Sequence, residues 1–240
     1  MVAPRLAGGC LRHGPRRHDH GRDLHLEGTL EPETIFAIAE RNKIALPYSS
    51  IDQLRARYAF TDLQSFLDLC YTNVDVLRTA EDFADMTTAY LERAAAAGLR
   101  HAEVFLNPQA HTARGVPLPE VMAGVAGALS ESLRTHGLST GLIVAFLRDE
   151  SEESAMATLH AALALDAAFI GVGLDSAEVG HPPSKFAKVF QRARAEGLHR
   201  VAHVGEPAAV HQAPDGGGDA LREHLLQRRC RLEQLDDGLL

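Results

Sequence analysis

Two short segments each place a histidine and a carboxylate where they could act on one substrate. His25 stands in Leu-His-Leu-Glu-Gly, and His203 stands in Val-Ala-His-Val-Gly-Glu, three residues before Glu206. A neutral imidazole can bind zinc, and a carboxylate beside the metal can pass protons between water and a substrate. The spacing therefore allows metal-assisted acid–base chemistry, although hydrogen-bonded or solvated side chains at strand ends also fit it.

Alternating strands and helices must position these side chains. Such alternation predicts a parallel sheet covered on both faces, and either an open doubly wound sheet or a (β/α) barrel fits it. In a parallel barrel the carboxyl ends of the strands surround one cavity, so His25 and His203 should share it. Strands are predicted at 24–26, 101–106, 142–147, 169–174 and 199–204, and helices at 32–42, 61–77, 80–97, 118–136, 152–164 and 184–196.

The two ends of the chain differ from this alternating part. Residues 1–22 are rich in Gly, Arg and His without a period, which predicts a disordered head. After Glu206 the segment Pro-Asp-Gly-Gly-Gly at 214–218 is a flexible break, and a charged helix is predicted at 220–235. We therefore expect a head at 1–22, a strand–helix unit at 23–206 and a divergent helical tail at 207–240.

Composition narrows the classes of partner. The 240 residues are 45% hydrophobic and carry a net charge of −8, which suits a globular protein and argues against nucleic acid or an anionic membrane as partner. No apolar run approaches the roughly 20 residues of a membrane span. Cys10, Cys70 and Cys230 are too scattered for a metal or disulfide framework, which favours reduced thiols and a cytoplasmic location.

Longer stretches match one known family. A segment beginning at His25 reads His-Leu-Glu-Gly-Thr-Leu-Glu-Pro-Glu, one at Arg100 reads Arg-His-Ala-Glu-Val-Phe, and Val-Ala-His-Val-Gly-Glu ends at Glu206. From about Leu24 to Glu206 the chain resembles the adenosine/adenine deaminase family of metal-dependent hydrolases. The resemblance implies an α/β fold, a partial (β/α) TIM-type barrel with about five of eight parallel strands.

Two further stretches resemble the adenine branch of that family. They are Leu-Pro-Tyr at Leu46 with Tyr-Ala-Phe-Thr-Asp-Leu at Tyr58, and Ile-Gly-Val-Gly-Leu-Asp-Ser-Ala-Glu at Ile170. The resemblance implies zinc-dependent hydrolysis of adenine to hypoxanthine and ammonia, in purine salvage, with a small purine as the partner. Adenosine deamination is the alternative within the same family.

The resemblance also assigns roles to single residues. The family holds zinc with a His-x-His pair, the His of a His-Ala-Gly-Glu motif and a late Asp, and that motif's Glu carries the proton. Asp23 stands where the first His of the pair is expected, and a carboxylate oxygen can also bind zinc. The residues implied are the Zn²⁺ ligands His25 and His203, the candidate ligand Asp23, the catalytic Glu206, and the substrate contacts Asp175 and Glu178.

The late motifs of the family do not follow Glu206. Neither its His-Gly motif nor its Ser-Asp-Asp motif occurs in residues 207–240. We therefore expect weak zinc binding and slow deamination from this chain on its own. A hypothesis of another class is a non-catalytic product of a truncated or frame-shifted deaminase gene. Five other histidines are interpreted as solvated, namely His111, His136, His160, His211 and His224, and His101 as packed or at the surface.

Overall fold

The sheet that carries both histidine segments is mostly parallel. In the computed structural model, which describes residues 24–58, 69–70, 72–165, 167–178, 180–204 and 231–234, five strands lie in the order β1-β2-β3-β4-β5. Strands β1 to β4 run parallel, and β5 runs antiparallel to β4. The strands are β1 His101–Leu106, β2 Ser139–Leu147, β3 Gly171–Asp175, β4 His199–Val204 and β5 Arg231–Gln234.

Helices follow the strands and begin where the sequence supplies caps. The Thr79 side chain and Asp82 form a reciprocal capping box at the start of the helix Ala80–Ala96, and the helix Leu118–His136 is followed by Gly137, whose φ of 65° suits glycine. The predicted helices at 80–97, 118–136 and 152–164 are confirmed. The helices are α1 Pro32–Arg41, α2 Ile51–Ala56, α3 Ala80–Ala96, α4 Pro108–Thr112, α5 Leu118–His136, α6 Glu152–Leu163 and α7 Ala187–Ala195, with 3-10 turns at Leu26–Thr29 and Pro183–Phe186.

The predicted first strand is reduced to a single bridge. His25 bridges Phe105 of β1 in parallel, and the Phe105 N–H donates to the Leu24 carbonyl at 2.8 Å. The chain then turns into the 3-10 segment Leu26–Thr29, which leads directly to Pro32 at the start of α1. The strand is short because this turn begins one residue after His25, yet the bridge still places His25 at the carboxyl end of β1.

The helix predicted across residues 220–235 is wrong at residues 231–234. These four residues form β5, which pairs with β4 from Val201–Gln234 to Val204–Arg231. Backbone groups on the outer edge of β4 need partners, and a strand supplies them where a helix could not. The predicted head at 1–22 and most of the predicted tail and of the 61–77 helix lie outside the described residues.

The main hydrophobic core lies between the sheet and the helices. Close approach of α3 and α5 requires Gly124, because a Cβ there would lie 2.2 Å from the Ala80 carbonyl oxygen and 2.6 Å from Phe83 Cβ. The other face of the sheet carries a small cluster of Phe105, Ile143 and Ala145. Among the described residues, no helix is both long and apolar enough to cross a membrane.

Candidate metal centre

Three side chains with metal-binding atoms meet at the carboxyl ends of the strands. His25 lies beside β1, Asp175 ends β3 and His203 lies near the end of β4. The Nε2 atoms of His25 and His203 are 3.2 Å apart, and His25 Nδ1 lies 3.5 Å from Asp175 Oδ2. One ligand atom from each of the three residues falls within 4.8 Å of the others. The parallel strand ends thus bring the two histidines together.

The chemistry of this donor set fits zinc. Two imidazole nitrogens and a carboxylate oxygen are donors that zinc takes in catalytic sites, which hold three protein ligands and keep a position open. Two nitrogens at 2.0–2.1 Å from one tetrahedral zinc would lie about 3.3 Å apart, close to the spacing of the facing Nε2 atoms. Calcium and magnesium prefer oxygen ligands and fit the two imidazoles poorly.

Burial makes Asp175 sensitive to a nearby cation. Burial raises the pKa of Asp175, and this outweighs the opposite effects of His25, His203 and the hydrogen bonds from Asn107. A buried carboxylate is stabilised in its charged form by a cation close by. The position of Asp175 beside both histidines makes it a candidate metal ligand, a role that the sequence analysis did not assign.

An asparagine joins two members of this cluster. Asn107 directly follows β1, and its Nδ2 donates to both Asp175 oxygens at 2.8 and 2.7 Å. Its Oδ1 lies 2.9 Å from His25 Nδ1. Sequence reasoning missed Asn107, although a polar residue directly after a buried parallel strand was the signal that could have found it.

A second hydrogen-bonded chain supports the turn after His25. Glu27 Oε1 accepts from the Asn107 backbone N–H at 2.9 Å and from His111 Nε2 at 3.2 Å, while Arg114 donates to His111 Nδ1 at 2.7 Å. Burial pushes the pKa of Glu27 upward, but His111 and the other contacts outweigh it, so the net pKa is lowered. His111 is fully buried, so its interpretation as solvated was wrong: Glu27 and Arg114 satisfy both ring nitrogens inside the fold.

Arg148 ties the ends of three strands together. It follows β2, is fully buried, and its Nη2 donates to the His203 carbonyl at 2.7 Å. Its backbone N–H donates to the Asp175 carbonyl at 2.9 Å, and its Nη1 lies 3.8 Å from Glu178 Oε1. Glu178, predicted to contact substrate, is therefore an ion-pair partner of Arg148. Sequence reasoning missed Arg148, although a lone arginine closing a long apolar run was a signal.

An aromatic ring lies against both histidines. The Phe105 ring centroid is 5.3 Å from that of His25 and 5.6 Å from that of His203. Gly173 leaves room for this ring, because a Cβ there would lie 2.8 Å from Phe105 Cε1. Asp23 and Glu206, the other two predicted site residues, lie outside the described residues, and their roles stay predictions.

The comparisons with known proteins agree with this architecture. The adenosine deaminase family model matches residues 15–218. The chain belongs to this family. It is 55% identical to an adenine deaminase of Cupriavidus taiwanensis, covering 96% of this chain and 64% of that protein. It is 56% identical to an adenine deaminase of Streptomyces coelicolor, covering 85% of this chain and 61% of that protein.

Solved structures give the same result. A crystal structure of an adenine deaminase from Arthrobacter aurescens has a TM-score of 0.74 and 57% identity, with 85% of this chain and 60% of that chain covered. An amidohydrolase from Burkholderia ambifaria with bound Zn has a TM-score of 0.67 and 30% identity. The match covers 76% of this chain and 50% of that chain. The predicted family and the predicted partial (β/α) barrel are confirmed. The chain spans less than two thirds of the length of these four relatives.

Proposed function

We propose that this chain carries the zinc centre of a hydrolase that deaminates adenine to hypoxanthine and ammonia, a reaction of purine salvage. The observation that carries the proposal is the cluster of His25, Asp175 and His203 at the strand ends. That cluster lies in a chain 53 to 56% identical to proteins named adenine deaminase. The finer choice of adenine over adenosine is supported by those names and by the stretches at Leu46 and Ile170.

Each side chain has a role in the proposal. His25 and His203 would hold zinc through Nε2, Asp175 would hold it through a carboxylate oxygen, and Asp23 is a further candidate ligand. Bound zinc supplies a Lewis acid and lowers the pKa of water to near neutrality. Glu206, three residues after His203, carries protons between water and the purine ring.

Two of the predicted residues are proposed substrate contacts, and one of them, Asp175, also belongs to the metal cluster. Asp175 and Glu178 lie on the loop side of β3, where a purine base would approach the cluster. Arg148 holds Glu178 by charge and so limits the positions that its carboxylate can take.

A cytoplasmic location is part of the same proposal, and it agrees with Cys70 being a free thiol whose pKa is raised to about 12 by burial.

Zinc-dependent turnover tests the proposed function. The chain is treated with a chelator, gel-filtered and reloaded with zinc, and then loss of adenine absorbance and release of ammonia are followed with adenine or adenosine. We expect turnover that requires zinc and is faster with adenine. We also expect a rate far below that of the Cupriavidus taiwanensis relative assayed alongside, as the sequence analysis predicts.

Matched substitutions sharpen this assay. His25→Gln and Glu206→Gln should each lower turnover by about 10²–10⁴-fold, because they remove a ligand and the proton carrier. His101→Gln is the control, since that side chain is 59% exposed at the other end of β1 and should leave turnover unchanged. Turnover without zinc, or a preference for adenosine, would contradict the proposal, and no turnover from zinc-loaded protein would favour the non-catalytic hypothesis.

A further inference from the structure

The side chain of Asn107 lies between two members of the metal cluster. It is 8% exposed, its Nδ2 is 2.8 and 2.7 Å from the two Asp175 oxygens, and its Oδ1 is 2.9 Å from His25 Nδ1. One amide group thus satisfies a histidine that comes 82 residues earlier and an aspartate that comes 68 residues later. Such a bridge can set the orientation of both side chains at once.

The amide can satisfy a charged Asp175 in one orientation. With Nδ2 toward the carboxylate, both Asp175 oxygens accept a hydrogen bond, whereas the flipped amide would set an oxygen against two oxygens. Oδ1 is then left facing His25 Nδ1, and it can only accept. His25 must therefore carry its proton on Nδ1, which leaves the lone pair of Nε2 pointing at His203 Nε2, 3.2 Å away.

The backbone of Asn107 is itself held in place. Its N–H donates to Glu27 Oε1 at 2.9 Å, and Glu27 accepts a further hydrogen bond from His111, which is held in turn by Arg114. Pro108 follows and restricts the Asn107 backbone, whose φ is −103° and ψ 82°. A hydrogen bond and the following proline therefore both restrain the backbone that carries the amide, as a group that orients a metal ligand requires.

We propose that Asn107 is a positioning residue of the metal centre. It holds His25 in the tautomer whose Nε2 is free to bind the ion, and it holds the Asp175 carboxylate beside the same point. This inference rests on the proposed function for the identity of the metal. The tautomer of His25 can be measured in zinc-free protein, so the inference can fail or succeed separately from deamination.

The first measurement is the tautomer of His25 in the zinc-free chain. Nitrogen-15 chemical shifts of the imidazole ring separate protonated from unprotonated nitrogens, and loss of the signals in His25→Gln assigns them. We expect a proton on Nδ1 of His25 in the parent chain, and a mixture of tautomers in Asn107→Ala. A proton on Nε2 in the parent chain would overturn the inference, whether or not the variant folds.

The second measurement is zinc affinity by competition with a chromogenic chelator. Asn107→Ala should raise the zinc dissociation constant by about 10–100-fold, as loss of a partner that orients a metal ligand does. Asn42→Ala is the matched control, because the Asn42 amide also donates two hydrogen bonds, to Val76 O and Asp82 Oδ2, away from the cluster. Equal zinc affinity of the parent and folded Asn107→Ala would overturn the inference.

Discussion

At the scale of single residues, the facing Nε2 atoms of His25 and His203 are the chemical centre of the molecule. Two neutral imidazoles 3.2 Å apart can share either one proton or one metal ion. Asp175 adds a buried carboxylate that a cation would stabilise, and the Phe105 ring closes one side of the cluster. These contacts favour a divalent metal over a simple hydrogen bond between the rings.

At the same scale, Arg148 is predicted to stabilise the fold. Replacing it with Met should destabilise the fold by about 2–3 kcal/mol, because the His203 carbonyl loses a buried charge-assisted hydrogen bond. Urea unfolding followed by circular dichroism measures this loss. Arg192→Met is the control, since Arg192 is 45% exposed and pairs with Glu196, the residue that follows α7, an interaction worth about 0.3–0.5 kcal/mol. Equal losses in the two variants would argue against the role given to Arg148.

The role of a residue could be predicted from the sequence only where its partners or its motif lie nearby along the chain. His25 and His203 stand in local motifs, so the sequence indicated both. Asn107, Arg148 and His111 act through partners that lie 68, 55 and 84 residues away, and no local pattern reveals such pairs. The sequence could show that these residues are polar, and the fold decided what they contact.

At the scale of elements, the start of α3 is held by a network of hydrogen bonds to one carboxylate. The fully buried Asp82 carboxylate accepts from the Arg78 and Thr79 backbone N–H groups at 2.9 Å, from Asn42 at 2.7 Å and from Arg41. Burial raises the pKa of Asp82, but these hydrogen bonds outweigh it, so the net pKa is lowered. This carboxylate links α1, α3 and the turn before α3.

Asp82→Asn should therefore destabilise the chain in a pH-dependent way. A lowered pKa in the folded state means that the stabilisation is complete above the unfolded pKa of about 3.9 and is lost as pH falls through the folded value. We expect a loss of about 2 kcal/mol at pH 7, which should shrink below about pH 4. Urea unfolding of parent and variant across that range measures it.

The neighbouring Asp85 supplies the control for this prediction. It also bonds Arg41, at 2.7 Å, but its side chain is 48% exposed. Asp85→Asn should cost less than about 1 kcal/mol at any pH, because exposed ion pairs contribute little. A pH-independent loss in Asp82→Asn, or an equal loss in Asp85→Asn, would show that the Asp82 network does not act as described.

The observed helices and strands agree with the predicted ones in the segments where the apolar periodicity is long. Helices α3, α5 and α6 and strands β1 and β4 lie where the periodicity placed them. The first strand and β5 did not, for physical reasons that lie outside the local pattern. The turn after His25 ends the first strand, and pairing with the edge of β4 makes a strand of residues 231–234.

At the scale of the whole molecule, the described sheet lies on one side of the cluster. Its four parallel strands end at the cluster, and the chain spans 64% of the Cupriavidus taiwanensis relative and 60% of the Arthrobacter aurescens structure. The family and the barrel class could be predicted because the motifs are long and specific. The division into a head, a barrel unit and a tail stays a prediction.

The central claim is that His25, Asp175 and His203 bind one zinc ion. The most direct test is anomalous diffraction at the zinc edge from crystals of the chain grown with zinc. We predict one anomalous peak at about 2.0–2.2 Å from the two Nε2 atoms and an Asp175 oxygen. Zinc-loaded crystals without a peak at this position, or with a peak bound by other residues, would contradict the account.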